Sequence, residues 1–541
     1  MFLVLPKKFD FIRFFVKNNK GEKMKRLIFS YIALSLMFLL AIGRCFYIVN
    51  NKTFTANVNN SKKRVDFGFS RGTIFDCNKV KLTNAENEYF VAVAPNSQNA
   101  NAVKDYLDEE GRKTLSMGFP IKIKVDEKFE NNNVIKLKIP KRYSGIASHI
   151  IGYCDSEGNG ICGVEQSFND ILKGQKISVS FNTDVNGKII ANKQEITNNT
   201  KLQQKGVMLT IDKSIQDICE TIAKEHLKKG AIVVLENKTG KIKAIVSTPT
   251  YNPNNISASL DSDASPFFNR ALAAYNCGSV FKILVAAAAL YYDINLTYFC
   301  NGNLTIGDTT FGCIQRHNFT TMKKAIALSC NCYFIKLGQK IGAKRLLSFA
   351  KSFGFGNEIS LMSSLVSTGA NLPDEQTLTN IPADLANFSF GQGVILTSPL
   401  HIASMIACVA NDGKYILPTL VEGITNNKGE ILKKSKQQLP TYLLTKDDAT
   451  TLQKYLVNAV EKGTGKAAKP TFTGAGGKTA TAQTGIYEKN GKAVYQTWFG
   501  GFYPDENPVY TIVVLYENGN SGSKNAAPVF KKIADGIYGI R

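Results

Sequence analysis

The sequence contains no Cys-x-x-Cys pair, which removes the zinc-ribbon and thioredoxin-like spacings from consideration. No repeat of long period and no low-complexity tract is present, so a solenoid or an array of modules is excluded. There are four histidines, and none stands in a pattern with serine and aspartate that suggests a Ser-His-Asp triad. We read them as structural. No basic stripe is interleaved with aromatic residues, which argues against nucleic acid as a partner.

What is present is a globular balance. Of the 541 residues, 44% are hydrophobic and 20% charged, enough for a substantial core and for roughly two to four domains. The formal charge is +23. A balance of this size suits a polyanionic neighbour such as an anionic lipid surface, although a general bias toward lysine accounts for it equally well. The 11 cysteines are an odd number. Cys300 and Cys313 flank a short strand-and-turn segment and can close it by a disulfide. Together with His317 they can also be pictured as metal ligands, but their spacing fits no ligand template. We therefore expect neither a metal nor a cofactor.

One long apolar run stands out. Leu27–Gly43 carries no charge, and its continuation past Arg44 to Val49 gives a segment, 27–49, of the length that crosses a bilayer as a helix. Before it, in residues 1–26, lie Lys7, Lys8, Arg13, Lys17, Lys20, Lys23, Lys25 and Arg26 against Asp10 and Glu22. The positive-inside rule then puts the N-terminus in the cytoplasm and the bulk of the chain outside. Met24-Lys-Arg reads as a natural start, which leaves residues 1–23 as an upstream extension.

Residues 50–205 are polar and turn-rich, with short apolar runs such as Tyr89–Ala94. They read as a mixed, strand-containing domain. From 206 to 541 the texture changes. A helical stretch from Ser214 to Leu227 precedes two β-branched runs, Ala231–Glu236 and Lys241–Ser247, which flank Asn-Lys-Thr-Gly as a hairpin. A long Ala/Leu/Ile-rich region, read as helical, covers about 280–460. Strands return at Lys478–Gln483, Gln496–Tyr503 and Val509–Glu517, and a closing helix at 527–538. The expected fold class is α+β: one antiparallel sheet built from both ends of the domain and covered by helices.

Candidate chemistry centres on Ser279-Val-Phe-Lys282, an S-x-x-K pattern at the start of a helix. A serine there meets exposed backbone N–H groups. A lysine three residues on shares its face of the helix, and burial lets that lysine act as a base. The pattern alone decides little, since Ser348-Lys351 and Ser521-Lys524 also fit it. An S-x-N pattern at Ser329–Asn331 has rivals too, at Ser97, Ser167, Ser180 and Ser523. A literal K-T-G at Lys238–Gly240 falls in the hairpin turn, ahead of the nucleophile. Lys478-Thr479-Ala480-Thr481, on a C-terminal strand just before the single tryptophan, is the better third element.

Context ranks these copies. Asn269–Tyr275 with Gly278–Lys282, Ala327–Asn331 with Phe334 and Leu337-Gly338, Gly391-Gln392-Gly393 with Thr397–Leu400, and Gly477–Gln483 with Trp498–Phe502 follow one another in order. Jointly they resemble the penicillin-binding proteins. Upstream, Arg71–Asp76, His149–Gly152 and Gly163–Glu165 resemble the pedestal of the class B, monofunctional members. The resemblance implies the transpeptidase fold with an N-terminal pedestal (dimerisation-type) domain and one transmembrane helix. It implies a D,D-transpeptidase that cross-links peptidoglycan stem peptides through a Ser279 acyl-enzyme and is inhibited by β-lactams. In that scheme Lys282 is the base, and Ser329 with Lys478 returns the proton to the leaving amine. Asn331 holds the substrate backbone and Lys282. Thr479 and Thr481, with Ala480 between them, bind the substrate carboxylate. The N–H groups of Ser279 and Thr481 form the oxyanion hole. A membrane glycosyltransferase is the implied partner.

Three residues depart from the family pattern: Cys277 where proline is usual, Cys77 where arginine is commoner, and Ala480 in place of glycine. The two-residue period of a strand puts Ala480 on the face of Lys478, which leaves two readings open: its methyl crowds the nucleophile's side, or the change is a harmless shift. A β-lactamase that deacylates through glutamate carries E-x-x-L-N after the second motif. Here the nearest string, Glu358–Met362, fails at the last position.

Overall fold

A computed structural model describes residues 20–50, 62–184, 188–197, 204–488 and 490–540. The basic residues before Lys20 lie outside these. Lys20–Asn50 forms one helix, α1, of 31 residues, about 46 Å at the usual rise. Its Met24–Tyr47 portion is long and apolar enough to cross a membrane. Leu27, Ile28, Phe29 and Met37, which point to different sides at 3.6 residues per turn, are all exposed, so the apolar surface runs around the helix.

The chain divides into two compact units. Among the described residues, the first lies within 1–63 and 180–194 and the second within 64–179 and 195–541. Within the second, residues on either side of the expected 205/206 boundary pair and pack together. Ile74 and Phe75 pair in parallel with Val207 and Met208, and Ile74, Leu82 and Tyr143 share one hydrophobic cluster with Leu209 and Ile211. Its upstream part is strand-containing, as expected. Thr83–Val93 is the central strand of an antiparallel sheet with Ile121–Val125 and Ile135–Tyr143.

Two arginines converge there on one carboxylate. Glu165, fully buried, accepts from Arg71 Nε at 2.8 Å and from Arg142 Nε at 2.6 Å. Arg71 also donates to the Gly158 carbonyl at 2.5 Å. A buried charge needs such partners.

The catalytic half is built on α2 (Lys213–His226), β1 (Gly230–Glu236), β2 (Ile242–Thr248), α3 (Lys282–Tyr291), α4 (Met322–Leu328), α5 (Asn331–Ile341), α6 (Pro399–Ala410), α7 (Lys446–Lys462), β3 (Gly476–Tyr487), β4 (Ala493–Tyr503), β5 (Tyr510–Glu517) and α8 (Ala526–Gly539). The five strands form one antiparallel sheet in the order β2-β1-β5-β4-β3. The first and last strands of the domain thus interleave. β1 and β5 are almost wholly buried, as β-branched runs covered on both faces should be. Residues of α2 and α8 pack on one face with Phe499 and Val514. Residues of α3, α5 and α6 cover the other with Trp498 and Val513.

The 280–460 region is not continuously helical. Paired strands at Tyr298–Cys300 with Asn318–Thr320, Asn303–Ile306 with Thr309–Gly312, and Ile359–Met362 with Leu365–Ser367 interrupt it. Gly302 and Gly307, at φ +100° and +57°, turn the chain where a helix would have to continue. The Lys238–Gly240 copy of K-T-G lies in the β1–β2 turn, with Gly240 at φ +68°.

Candidate active site

The nucleophile candidate is held in a tight turn. Gly278 takes φ +57°, and Gly278–Phe281 forms one 3-10 turn running straight into α3. A Cβ on Gly278 would come within 3.0 Å of Ala482 Cβ on β3. A Cβ on Gly391 would lie 2.0 Å from the Gly278 carbonyl oxygen. The turn is therefore wedged between the strand and the Gly391–Gly393 loop, which is why glycine stands at both positions.

Three motifs that the sequence placed far apart meet here. Lys282 is fully buried. Its Nζ donates to Asn331 Oδ1 at 2.6 Å, to the Ser329 carbonyl at 2.9 Å and to Ser329 Oγ at 3.2 Å. Those three acceptors satisfy an ammonium's three protons. Ser329 Oγ donates to Ser279 Oγ at 3.1 Å, so Lys282, Ser329 and Ser279 form one hydrogen-bonded chain. Ser329 ends α4 in the left-handed region, at φ +57°, and that turn aims both its carbonyl and its hydroxyl at Lys282. Burial lowers the Lys282 pKa to about 8, which favours the neutral amine a base requires.

Lys478 is buried on β3 and donates to the Thr479 carbonyl at 3.0 Å. Burial, and secondarily the charge of Lys282, hold its pKa well below the ordinary lysine range. Thr479 Oγ1 lies 2.9 Å from Thr464 Oγ1, and Thr481 Oγ1 accepts from the Gly522 N–H at 3.2 Å. β3 is the terminal strand of the sheet; among the described residues no strand pairs with its outer edge. An open edge presents N–H and C=O groups to an extended peptide.

Ala480 is opposite Trp498 in the β3–β4 register and is 3% exposed, in the same cluster. Trp498, itself fully buried, donates its indole N–H to the Asn276 carbonyl at 2.9 Å, tying β4 to the segment before the nucleophile. Ala482, two residues on, is the alanine that meets the Gly278 turn.

Of the rival copies, Ser521–Lys524 includes Gly522, whose N–H donates to Thr481 on β3, while Ser348–Lys351 lies elsewhere. Ser348 and Lys351 are exposed on the helix Ala343–Ser352, and Glu358 is exposed at the start of a hairpin. His401 is buried between Ser398 Oγ, at 2.8 Å from its Nδ1, and the Asn357 carbonyl, at 2.9 Å from its Nε2. Burial lowers its pKa to about 4. His149 is likewise buried against the Pro266 carbonyl. Both are structural. Sequence reading missed Thr464, which has no motif of its own. It also missed Cys330 and Cys332, which come together with Cys300, Cys313 and His317.

This geometry suits acyl transfer to and from a serine, beside a sheet edge that no other described strand pairs with. The comparisons define the class. The penicillin binding protein transpeptidase domain matches residues 230–535. "Stage V sporulation protein D" of Bacillus subtilis (strain 168) is 27% identical, over 94% of this chain and 84% of that protein. The D,D-transpeptidase domain of a peptidoglycan glycosyltransferase from Eggerthella lenta superposes with a TM-score of 0.64 at 25% identity, covering 87% of this chain and 99% of the other. A peptidoglycan synthase complex, described as coordinating polymerization and crosslinking, contributes a chain with a TM-score of 0.70 at 22% identity, covering 97% of this chain and 99% of the other. That last likeness is one of fold.

The chain belongs to the penicillin-binding protein transpeptidase family and is a class B member. With that membership comes the family's chemistry, a serine-type D,D-transpeptidation of peptidoglycan.

Proposed function

We propose that Ser279 is the residue acylated, and that the hydrogen-bonded chain Lys282–Ser329–Ser279 carries the proton traffic. Ser279 Oγ attacks the carbonyl of the penultimate D-alanine as neutral Lys282 takes its proton. The tetrahedral oxyanion is held by the N–H groups of Ser279 and Thr481; losing one such donor typically costs about 10²–10³ in rate. The C–N bond then breaks, and the leaving D-alanine amine receives a proton through Ser329, helped by Lys478. An amine of a neighbouring stem attacks the acyl-enzyme and gives its proton to Lys282, which passes it to Ser279 Oγ as the ester C–O bond breaks, so that the serine hydroxyl and the neutral amine are both restored. Thr479 and Thr481 bind the substrate carboxylate beside Lys478, and Asn331 holds the substrate backbone. The observation that carries this reading is the 3.1 Å contact between Ser329 and Ser279 Oγ atoms, continued to a buried lysine.

In this reading residues 50–205 form the pedestal and 206–541 the transpeptidase domain. α1 anchors the chain, with the basic N-terminal residues in the cytoplasm and the catalytic domain outside. Stem peptides and β-lactams are the ligands, and a membrane glycosyltransferase is the partner, supported by the likeness to a synthase complex over 97% of this chain. Incubating membranes with a fluorescent penicillin, with Ser279→Ala alongside, tests it. The expected result is a persistent covalent adduct lost in the variant. Rapid turnover of the label would indicate a β-lactamase instead, and no adduct a non-catalytic scaffold.

A further inference from the structure

Beside the second motif, four soft donors converge. The ligand atoms of Cys300, Cys313, His317 and Cys330 all lie within 4.8 Å of one another. Cys300 Sγ is 3.8 Å from Cys313 Sγ and 3.5 Å from His317 Nδ1, and Cys313 Sγ is 3.7 Å from Cys330 Sγ. A disulfide needs about 2.05 Å, so none of these pairs is bonded. Thiolates set tetrahedrally about 2.3 Å from zinc stand about 3.8 Å apart along each edge. The observed sulfur separations are of that size.

The backbone builds this cluster deliberately from two elements. Cys300 closes the strand Tyr298–Cys300, and Cys313 follows the strand Thr309–Gly312. Cys313 N–H donates to the Gly302 carbonyl at 2.8 Å and His317 N–H to the Cys300 carbonyl at 3.2 Å, which folds the loop back on itself. Cys330 is the residue just before α5. Two N–H groups of α5 then point at sulfur: Cys332 N–H to Cys313 Sγ and Tyr333 N–H to Cys330 Sγ, each at 3.4 Å. Such donors stabilise thiolates and orient them for a metal. Cys300 and Cys330 are fully buried, His317 is 4% exposed and Cys313 is half-buried.

We propose that Cys300, Cys313, His317 and Cys330 hold one zinc ion, and that the ion fixes the second catalytic motif. Three sulfurs and one imidazole suit zinc, and four protein ligands leave no open position, the form of a structural site. Cys330 sits between Ser329 and Asn331, the two residues that bind Lys282. Asn331 Nδ2 also donates to the Gly312 carbonyl at 2.7 Å, next to ligand Cys313. Zinc thus ties the loop at 300–317 to the turn that aims Ser329 at Ser279. This replaces the expectation of no metal. The ligand spacing fits no template because the donors come from a hairpin loop and a helix start.

The test is the zinc content of the full-length chain, purified in detergent without chelator. About one zinc per chain is expected, with X-ray absorption showing three sulfurs and one nitrogen. His317→Ala and Cys330→Ser should lose the ion. Cys219→Ser, at a buried cysteine of α2 in the core on the other face of the sheet, should keep it, which separates ligand loss from general misfolding. Removing zinc with a chelator should slow acylation by fluorescent penicillin at least about tenfold, with recovery on adding zinc chloride and none with magnesium chloride. A chain free of zinc that acylates normally overturns the site. Acylation indifferent to zinc removal overturns its positioning role. The acylation arm rests on the proposed function and the zinc content does not, so the two can fail separately.

Discussion

At the scale of single residues, the central feature is a lysine that burial brings close to neutrality. Lys282 makes three hydrogen bonds through its amine yet is fully buried, and its pKa falls to about 8. The base must be neutral, and the neutral fraction grows as pH rises through that value. The acylation rate should therefore climb between about pH 7 and 9 and then level off, measured by stopped-flow with a chromogenic β-lactam. Lys282→Arg keeps the charge but supplies no base, and should lower the rate about 10²–10⁴-fold. A second prediction concerns Ala480. The structure buries its methyl in the cluster that holds Trp498, which it faces across the β3–β4 register. Ala480→Gly should then cost roughly 0.5–1 kcal/mol of stability while changing acylation less than about threefold. Thermal melts and labelling rates check both halves.

At the scale of elements, the sheet and its loops set the nucleophile's position. Gly391 takes φ +82°, and a Cβ there would meet the Gly278 carbonyl oxygen at 2.0 Å. Gly391→Ala should displace the turn and lower acylation about 10²-fold, with near-normal far-UV circular dichroism. The elements themselves were largely legible. The β-branched runs at 231–236 and 509–517, the Asn-Lys-Thr-Gly turn and the closing helix all fall where periodicity placed them. The S-x-x-K serine at 279 stands out by the motifs that follow it in order, and that is the copy the fold joins to Ser329. The region 300–320 was not legible, because short paired strands leave no long period to read. The convergence of Cys300, Cys313, His317 and Cys330 was equally hidden, since it depends on a loop folding against the start of α5. Thr464 meets Thr479 only because α7 and its C-terminal turn pack against β3.

At the scale of the molecule, residues on both sides of position 205 share one core, so disturbance upstream should reach the catalytic half. Arg71 and Glu165 were visible as separate motifs. Their union, with Arg142 as third member, was not, because 94 residues separate the first pair. Glu165→Ala leaves two buried guanidinium groups without their carboxylate and should cost about 3–5 kcal/mol, read as a lower denaturation midpoint. Penicillin labelling should fall with folded fraction rather than with the pH profile of the site.

The account as a whole turns on which serine is acylated. The most direct measurement is peptide mapping by tandem mass spectrometry after penicillin treatment of the full-length chain. A single adduct on Ser279 is predicted, abolished by Ser279→Ala and untouched by Ser348→Ala. An adduct on any other residue, or none on a folded chain, would contradict it.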